Sequence, residues 1–179
     1  MRKFFVGVFV LLVSFIIADR TFASENDIQL EDLTTQGEII YQDEEITVRD
    51  FGNDPDIANL IKEEPNSVTA NTNNTGIGIQ AVGPGGSANV TAATNGRTIY
   101  YTVRPATLWP YHFSGVIKLR YYSGFKRDAT IGGMGAAGSS VSGAVSMNKN
   151  NGGYATLSGK AYSLDGDEYK VLPGVGVAY

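Results

Sequence analysis

The 179-residue chain has no cysteine, a single histidine and a single tryptophan. The missing cysteine excludes a disulfide framework, a thiolate nucleophile, thiolate metal ligands and a thioether-linked lipid. With His112 as the sole imidazole, a zinc site would have to draw on carboxylates, and residues 97–127 around it contain no acid. No Gly-x-Ser-x-Gly elbow is present to expose a nucleophilic serine. His112 is thus a general base without a recognisable partner. The pattern reads as non-catalytic, with no cofactor and no metal. Long apolar runs are missing too. The longest, Phe4 to Ala18, is fifteen residues, short of the roughly 18–20 that span a bilayer as a helix.

That run has the setting of a secretory signal. Met1-Arg2-Lys3 supplies a positive start, and Asp19-Arg20-Thr21-Phe22-Ala23 a polar exit with small residues, Thr21 and Ala23, before the cut. The order predicts a signal peptide over residues 1–23. An exported protein without disulfides fits a single-membrane bacterium, so the expected location is secreted or extracellular. Leu172-Pro173-Gly174-Val175-Gly176 lacks the threonine of a sortase pentapeptide, and neither an apolar tail nor basic residues follow it. Any cell-surface association is therefore expected to be non-covalent.

Charge divides the remainder. Residues 24–66 hold 13 acids and two bases, a net of −11, whereas residues 67–179 hold four acids and nine bases, a net of +5. The asymmetry predicts an acidic leader, 24–66, that solubilises or screens a basic domain. Within the leader, Ile39-Ile40-Tyr41 and Ile46-Thr47-Val48 predict one or two short strands. Asn53-Asp54-Pro55-Asp56 reads as a capped helix start, and Ile57, Leu60 and Ile61 form one apolar stripe, so a short helix is expected over 55–64. Pro65 ends it. Ser67 to Thr75 is polar and of low complexity, a linker by composition.

From residue 76 to 179 the period is two. Ile99, Tyr101 and Val103 share a face, as do Phe113, Gly115, Ile117, Leu119 and Tyr121, then Val141, Val145 and Met147, and finally Val175, Val177 and Tyr179. Pro84-Gly85-Gly86, Asn95-Gly96, Asn150-Asn151-Gly152-Gly153 and Asp165-Gly166 supply turns. The expected fold is all-β: an antiparallel β-sandwich of Ig-like or jelly-roll size with seven or eight strands, preceded by the signal peptide and the acidic leader.

Two motifs reduce to turns. Gly133-Met134-Gly135-Ala136-Ala137-Gly138 satisfies G-x-G-x-x-G, but the residues after it alternate with period two instead of opening a helix, so it reads as a glycine-rich hairpin loop and not a dinucleotide site. Asp165, Asp167 and Glu168 lack EF-hand spacing and read as a hairpin turn.

The distinctive stretch is 97–127, which holds six bases and no acid among many rings. Arg97, Arg104, Trp109, Tyr111, Lys118, Arg120, Tyr122, Lys126 and Arg127 are the candidate binding residues. Cations beside aromatic rings suit a cell-envelope polymer, a glycan or a membrane surface. Nucleic acid is not expected of an exported, overall acidic chain. The sequence therefore reads as a secreted, non-catalytic binding module. The alternative is a secreted antibacterial, bacteriocin-like effector whose acidic pro-region is removed.

Overall fold

The computed structural model describes residues 30–63, 79–83, 85–149, 152–170 and 175–179, so the expected signal peptide and the linker 67–75 lie outside the described residues. The protein is an antiparallel β-sandwich. A 3₁₀ turn, Leu30–Thr35, leads into β1 (Glu38–Gln42), β2 (Ile46–Gly52) and helix α1 (Pro55–Glu63). Then follow β3 (Ile79–Gly83), β4 (Gly86–Ala92), β5 (Thr98–Pro105), β6 (Tyr111–Tyr121), β7 (Lys126–Gly135) and β8 (Val141–Met147). The chain ends with β9 (Gly153–Ser163), β10 (Glu168–Lys170) and β11 (Val175–Ala178). The first sheet has the order β1-β2-β8-β5-β4-β3; the second runs β10-β9-β6-β7, with β11 also pairing β9.

The clearest alternation in the sequence builds the middle of the second sheet. In β6, Phe113, Gly115, Ile117, Leu119 and Tyr121 turn inward, while His112, Ser114 and Lys118 are exposed. Across the sandwich they meet Ile46, Val48, Ile99, Tyr101, Val103 and Val145 of the first sheet. Fully burying an aliphatic or aromatic side chain is worth about 1.5–3 kcal/mol, which makes this inter-sheet layer the main source of stability.

The acidic segment is not a leader outside the sandwich. Strand β2 pairs with β8 from Ile46↔Met147 to Gly52↔Ser142, and its Ile46 and Val48 are fully buried in the inter-sheet core. The sandwich therefore starts at Glu38, not at residue 76. Helix α1 forms as its residues dictate. The Asp54 carboxylate accepts the Asp56 and Ile57 amides, Pro55 opens the first turn, and the helix ends at Glu63. Its stripe covers the outer face of the first sheet: Ile61 is buried, and Ile57 and Leu60 pack partly, against Phe51, Tyr100 and Ala144. The Tyr100 hydroxyl donates to the Leu30 carbonyl at 2.7 Å, which ties the 3₁₀ turn to the same face.

Two of the expected turns do something else. Asn95-Gly96 and Asp165-Gly166 close the β4–β5 and β9–β10 hairpins, and Gly96 and Gly166 carry positive φ. The Gly133–Gly138 run instead carries the chain from β7 in the second sheet to β8 in the first, and the segment holding Gly152 returns it to β9. These are crossovers between sheets, not hairpins.

Candidate functional site

The outer face of the second sheet is uncovered among the described residues. The register of β7, β6 and β9 stacks five rungs across it: Lys126–Arg120–Tyr154, Asp128–Lys118–Thr156, Thr130–Val116–Ser158, Gly132–Ser114–Lys160 and Met134–His112–Tyr162. Lys118, Lys126, Tyr154, Lys160 and Tyr162 are all exposed, so cations and rings sit a few ångströms apart on one pleated surface. Arg120 donates to Asp128 at 2.7 Å, and Lys160 to Glu168 at 2.8 Å. Both pairs are exposed, and such pairs contribute only about 0–1 kcal/mol. Lys118 and Lys126 form no ion pair among the described residues, which leaves the face a net cation surface.

The nine candidates divide. Lys118, Arg120 and Lys126 lie on this face, and Tyr122, 77% exposed, sits on the β6–β7 turn beside it. Trp109, 55% exposed, lies on the β5–β6 crossover at the opposite end of β6, about 30 Å or more away at 3.3 Å per residue. Arg97 sits at the β4–β5 turn and Arg104 on the outer face of the first sheet, both remote from the rungs. Tyr111 is not a surface ring: it is 1% exposed, its hydroxyl donates to the Ser139 carbonyl at 2.9 Å, and burial pushes its pKa up to about 12. Tyr154, Lys160 and Tyr162 were not among the candidates. They share the face because β9 pairs with β6, and period-two alternation in β9 was the only local sign of it.

Arg127 serves a different end. It forms an ion pair with Asp43 on the β1–β2 turn, and its guanidinium lies 6.0 Å from the centre of the Tyr41 ring. The Asp43 carboxylate also accepts the Ile46 and Glu45 amides, both at 2.8 Å, and the Tyr41 hydroxyl at 2.7 Å. The Ile46 amide, the Tyr41 hydroxyl, the Glu45 amide and Arg127 together hold its pKa down at about 2, against the opposing effect of burial. The clasp joins the β1–β2 hairpin to β7, above a groove of about 550 Å³ lined by Ile40, Tyr41, Ile46, Phe113, Arg127 and Ala129.

A depressed folded-state pKa contributes stability that is complete above the ordinary aspartate value of roughly 3.9 and is lost as pH falls through about 2. The thermal midpoint of the protein is therefore expected to drop between about pH 4 and pH 2. In Asp43→Asn that part of the dependence should vanish, with a lower midpoint at neutral pH. Unfolding followed across this range in both proteins checks it, and parallel acid slopes would refute the clasp.

Among the described residues no group of three or more His, Asp or Glu side chains is arranged to hold a metal ion. No helix among them is long and apolar enough to cross a membrane. No protein-family model matches the sequence, and no curated protein matches it. Among solved structures the chain is similar to the X-ray structure of Northeast Structural Genomics Consortium target SoR45, with a TM-score of 0.37 and 9% identity, over 59% of this chain and 83% of that chain.

Proposed function

We propose that the protein is an exported, non-catalytic binding module whose working surface is the outer face of the second sheet, and that its partner is an anionic polymer or headgroup of a cell envelope. One observation carries this reading: α1 and the 3₁₀ turn cover the outer face of the first sheet over Phe51, Tyr100 and Ala144, while that of the second sheet is bare among the described residues and carries the basic and aromatic rungs. A rigid sheet holds Lys118, Arg120, Lys126 and Lys160 in fixed rows, which suits a repeating anionic surface. The exposed faces of Tyr154 and Tyr162 add stacking area for sugar rings or headgroups. Residues 38–63 belong to the working protein in this reading, because their strands and helix are part of the sandwich.

The test is co-sedimentation of purified protein with isolated cell walls and with anionic liposomes, at low and at physiological salt. Retention at low salt that weakens as salt rises is expected, since exposed charges are screened over about 8 Å at physiological ionic strength. Lys118→Glu combined with Lys126→Glu should weaken retention by about tenfold or more, as each base near an anionic surface is worth about 1 kcal/mol. Absence of retention on both surfaces at low salt would sink the proposal.

A further inference from the structure

Strand β7 ends the second sheet, and no strand pairs with its outer side among the described residues. The Tyr121 amide donates to the Phe125 carbonyl at 3.0 Å, and the register continues unbroken to Tyr111↔Gly135. Bonded and non-bonded pairs alternate along an antiparallel ladder, so Arg127, Ala129, Ile131 and Gly133 bond to β6. Lys126, Asp128, Thr130 and Gly132 turn their amides and carbonyls the other way, along the open side. A ten-residue edge without a proline or a bulge is a ready template for another strand, and its charges are confined to Lys126, Arg127 and Asp128.

Across the sandwich β7 packs on β2 and β8, so β1, the next strand out, faces the groove of about 550 Å³ instead of a strand. Its Ile40 and Tyr41 line that groove and are 44% and 45% exposed. Two contacts fix the strand directions. Asp43 meets Arg127 at one end, and a Cβ on Gly133 would lie 3.3 Å from the Asp50 carboxylate at the other. Strand β2 thus runs parallel to β7. Strand β1, antiparallel to β2, runs antiparallel to β7, and Asp43 at its end is level with Arg127.

We propose that the place beside β7 is filled by strand β1 of a second copy, each molecule completing the other's sandwich about a two-fold axis parallel to the strands. Such an axis keeps both strand direction and height. The incoming β1 arrives antiparallel to β7, where its backbone meets the outward amides and carbonyls of Asp128, Thr130 and Gly132. Ile40 and Tyr41 of the two copies face each other across the axis, which buries four half-exposed side chains. Charge identifies the strand: the acidic turn after β1 comes level with the basic end of β7, and Glu44 of the second copy meets Lys126. Both are exposed, and neither forms an ion pair among the described residues. The contact is closed, because it uses β1 and β7 of both molecules and so stops at two. Apart from Lys126, the outer face of the second sheet takes no part, so the dimer stands or falls separately from envelope binding.

Sedimentation equilibrium of the chain from Ser24, across a concentration series, tests this. A monomer–dimer equilibrium is expected, with nothing larger. Thr130→Pro removes an outward amide that β6 does not use, so the variant should keep its fold and dimerise about tenfold less tightly or worse. Glu44→Lys should weaken the dimer by about fivefold, and Glu44→Lys combined with Lys126→Glu should restore it, because the exchanged charges meet again across the interface. Both charge positions are exposed, which keeps the test open should Thr130→Pro unfold. A protein that is monomeric throughout overturns the proposal, and so does a dimer that Thr130→Pro leaves unchanged. A dimer broken by Thr130→Pro but indifferent to the charge exchange pairs β7 with β7, and overturns β1 as the occupant.

Discussion

A chain shortened to residues 67–179 is expected not to fold cooperatively. The cut would remove β2, which lies between β1 and β8, together with α1 and the 3₁₀ turn. Ile46 and Val48 would leave the inter-sheet core, and Phe51 and Ile61 would leave the outer face over Tyr100 and Ala144. At about 1.5–3 kcal/mol for each fully buried side chain, the four together account for roughly 6–12 kcal/mol, comparable with the entire 5–15 kcal/mol of a typical domain. The loss extends beyond burial. The edge of β8 would open and become a template for pairing with other chains. Expression of 67–179 beside the chain from Ser24, compared by urea unfolding and near-ultraviolet circular dichroism, checks this. A sharp transition in the shorter chain would restore an independent domain after residue 66, and with it the idea of a released basic effector.

The charge split of the sequence is real, and it marked a boundary that the fold does not have. Net charge is carried by exposed side chains, whereas strand membership is decided by the inward ones. Of the five acids between residues 38 and 52, Glu38, Asp43, Glu44 and Glu45 sit at the edge strand and its turn and only Asp50 is half-buried within β2, while Ile46 and Val48 enter the core. The helix at 55–63 was legible because its cap, its proline and its stripe are all local. The face of β6 was legible because eleven residues alternate without a break. Crossovers were not, because glycine-rich turns record that the chain reverses and not which sheet receives the next strand. Tyr100 shows the same limit from the other side. Its parity places it outward, with Thr102 and Arg104, yet it is fully buried under Leu30, seventy residues earlier in the chain. Half of the exposed face of the second sheet was hidden for an equivalent reason, since Tyr154, Lys160 and Tyr162 join Lys118 and Arg120 only through the β6–β9 register.

Gly115 is where the sequence showed a position without its reason. It occupies an inward place in β6, among Phe113, Ile117 and Leu119, where a large apolar residue would ordinarily stand. Gly115 pairs directly with Gly159 of β9, and the Phe113 ring lies over both glycines. A Cβ at Gly115 would meet the Phe113 ring at 2.5 Å and the Ser158 carbonyl oxygen at 2.8 Å; one at Gly159 would meet the Gly115 Cα and the Ser114 carbonyl oxygen, both at 2.7 Å. Displacing the ring costs core packing, and the carbonyl belongs to a paired strand that has no room to retreat. Gly115→Val is therefore expected to destabilise by about 3 kcal/mol or more, at the upper end of overpacking costs. Gly124→Ala provides the contrast. It lies in the β6–β7 turn with φ +86° and nothing within 4 Å of the added carbon, so its cost is conformational alone, about 1–2 kcal/mol. Urea unfolding of the two variants separates steric exclusion from backbone preference. Equal losses would mean that the second sheet yields around Gly115, and that the Phe113 ring does not depend on the glycine pair for its place.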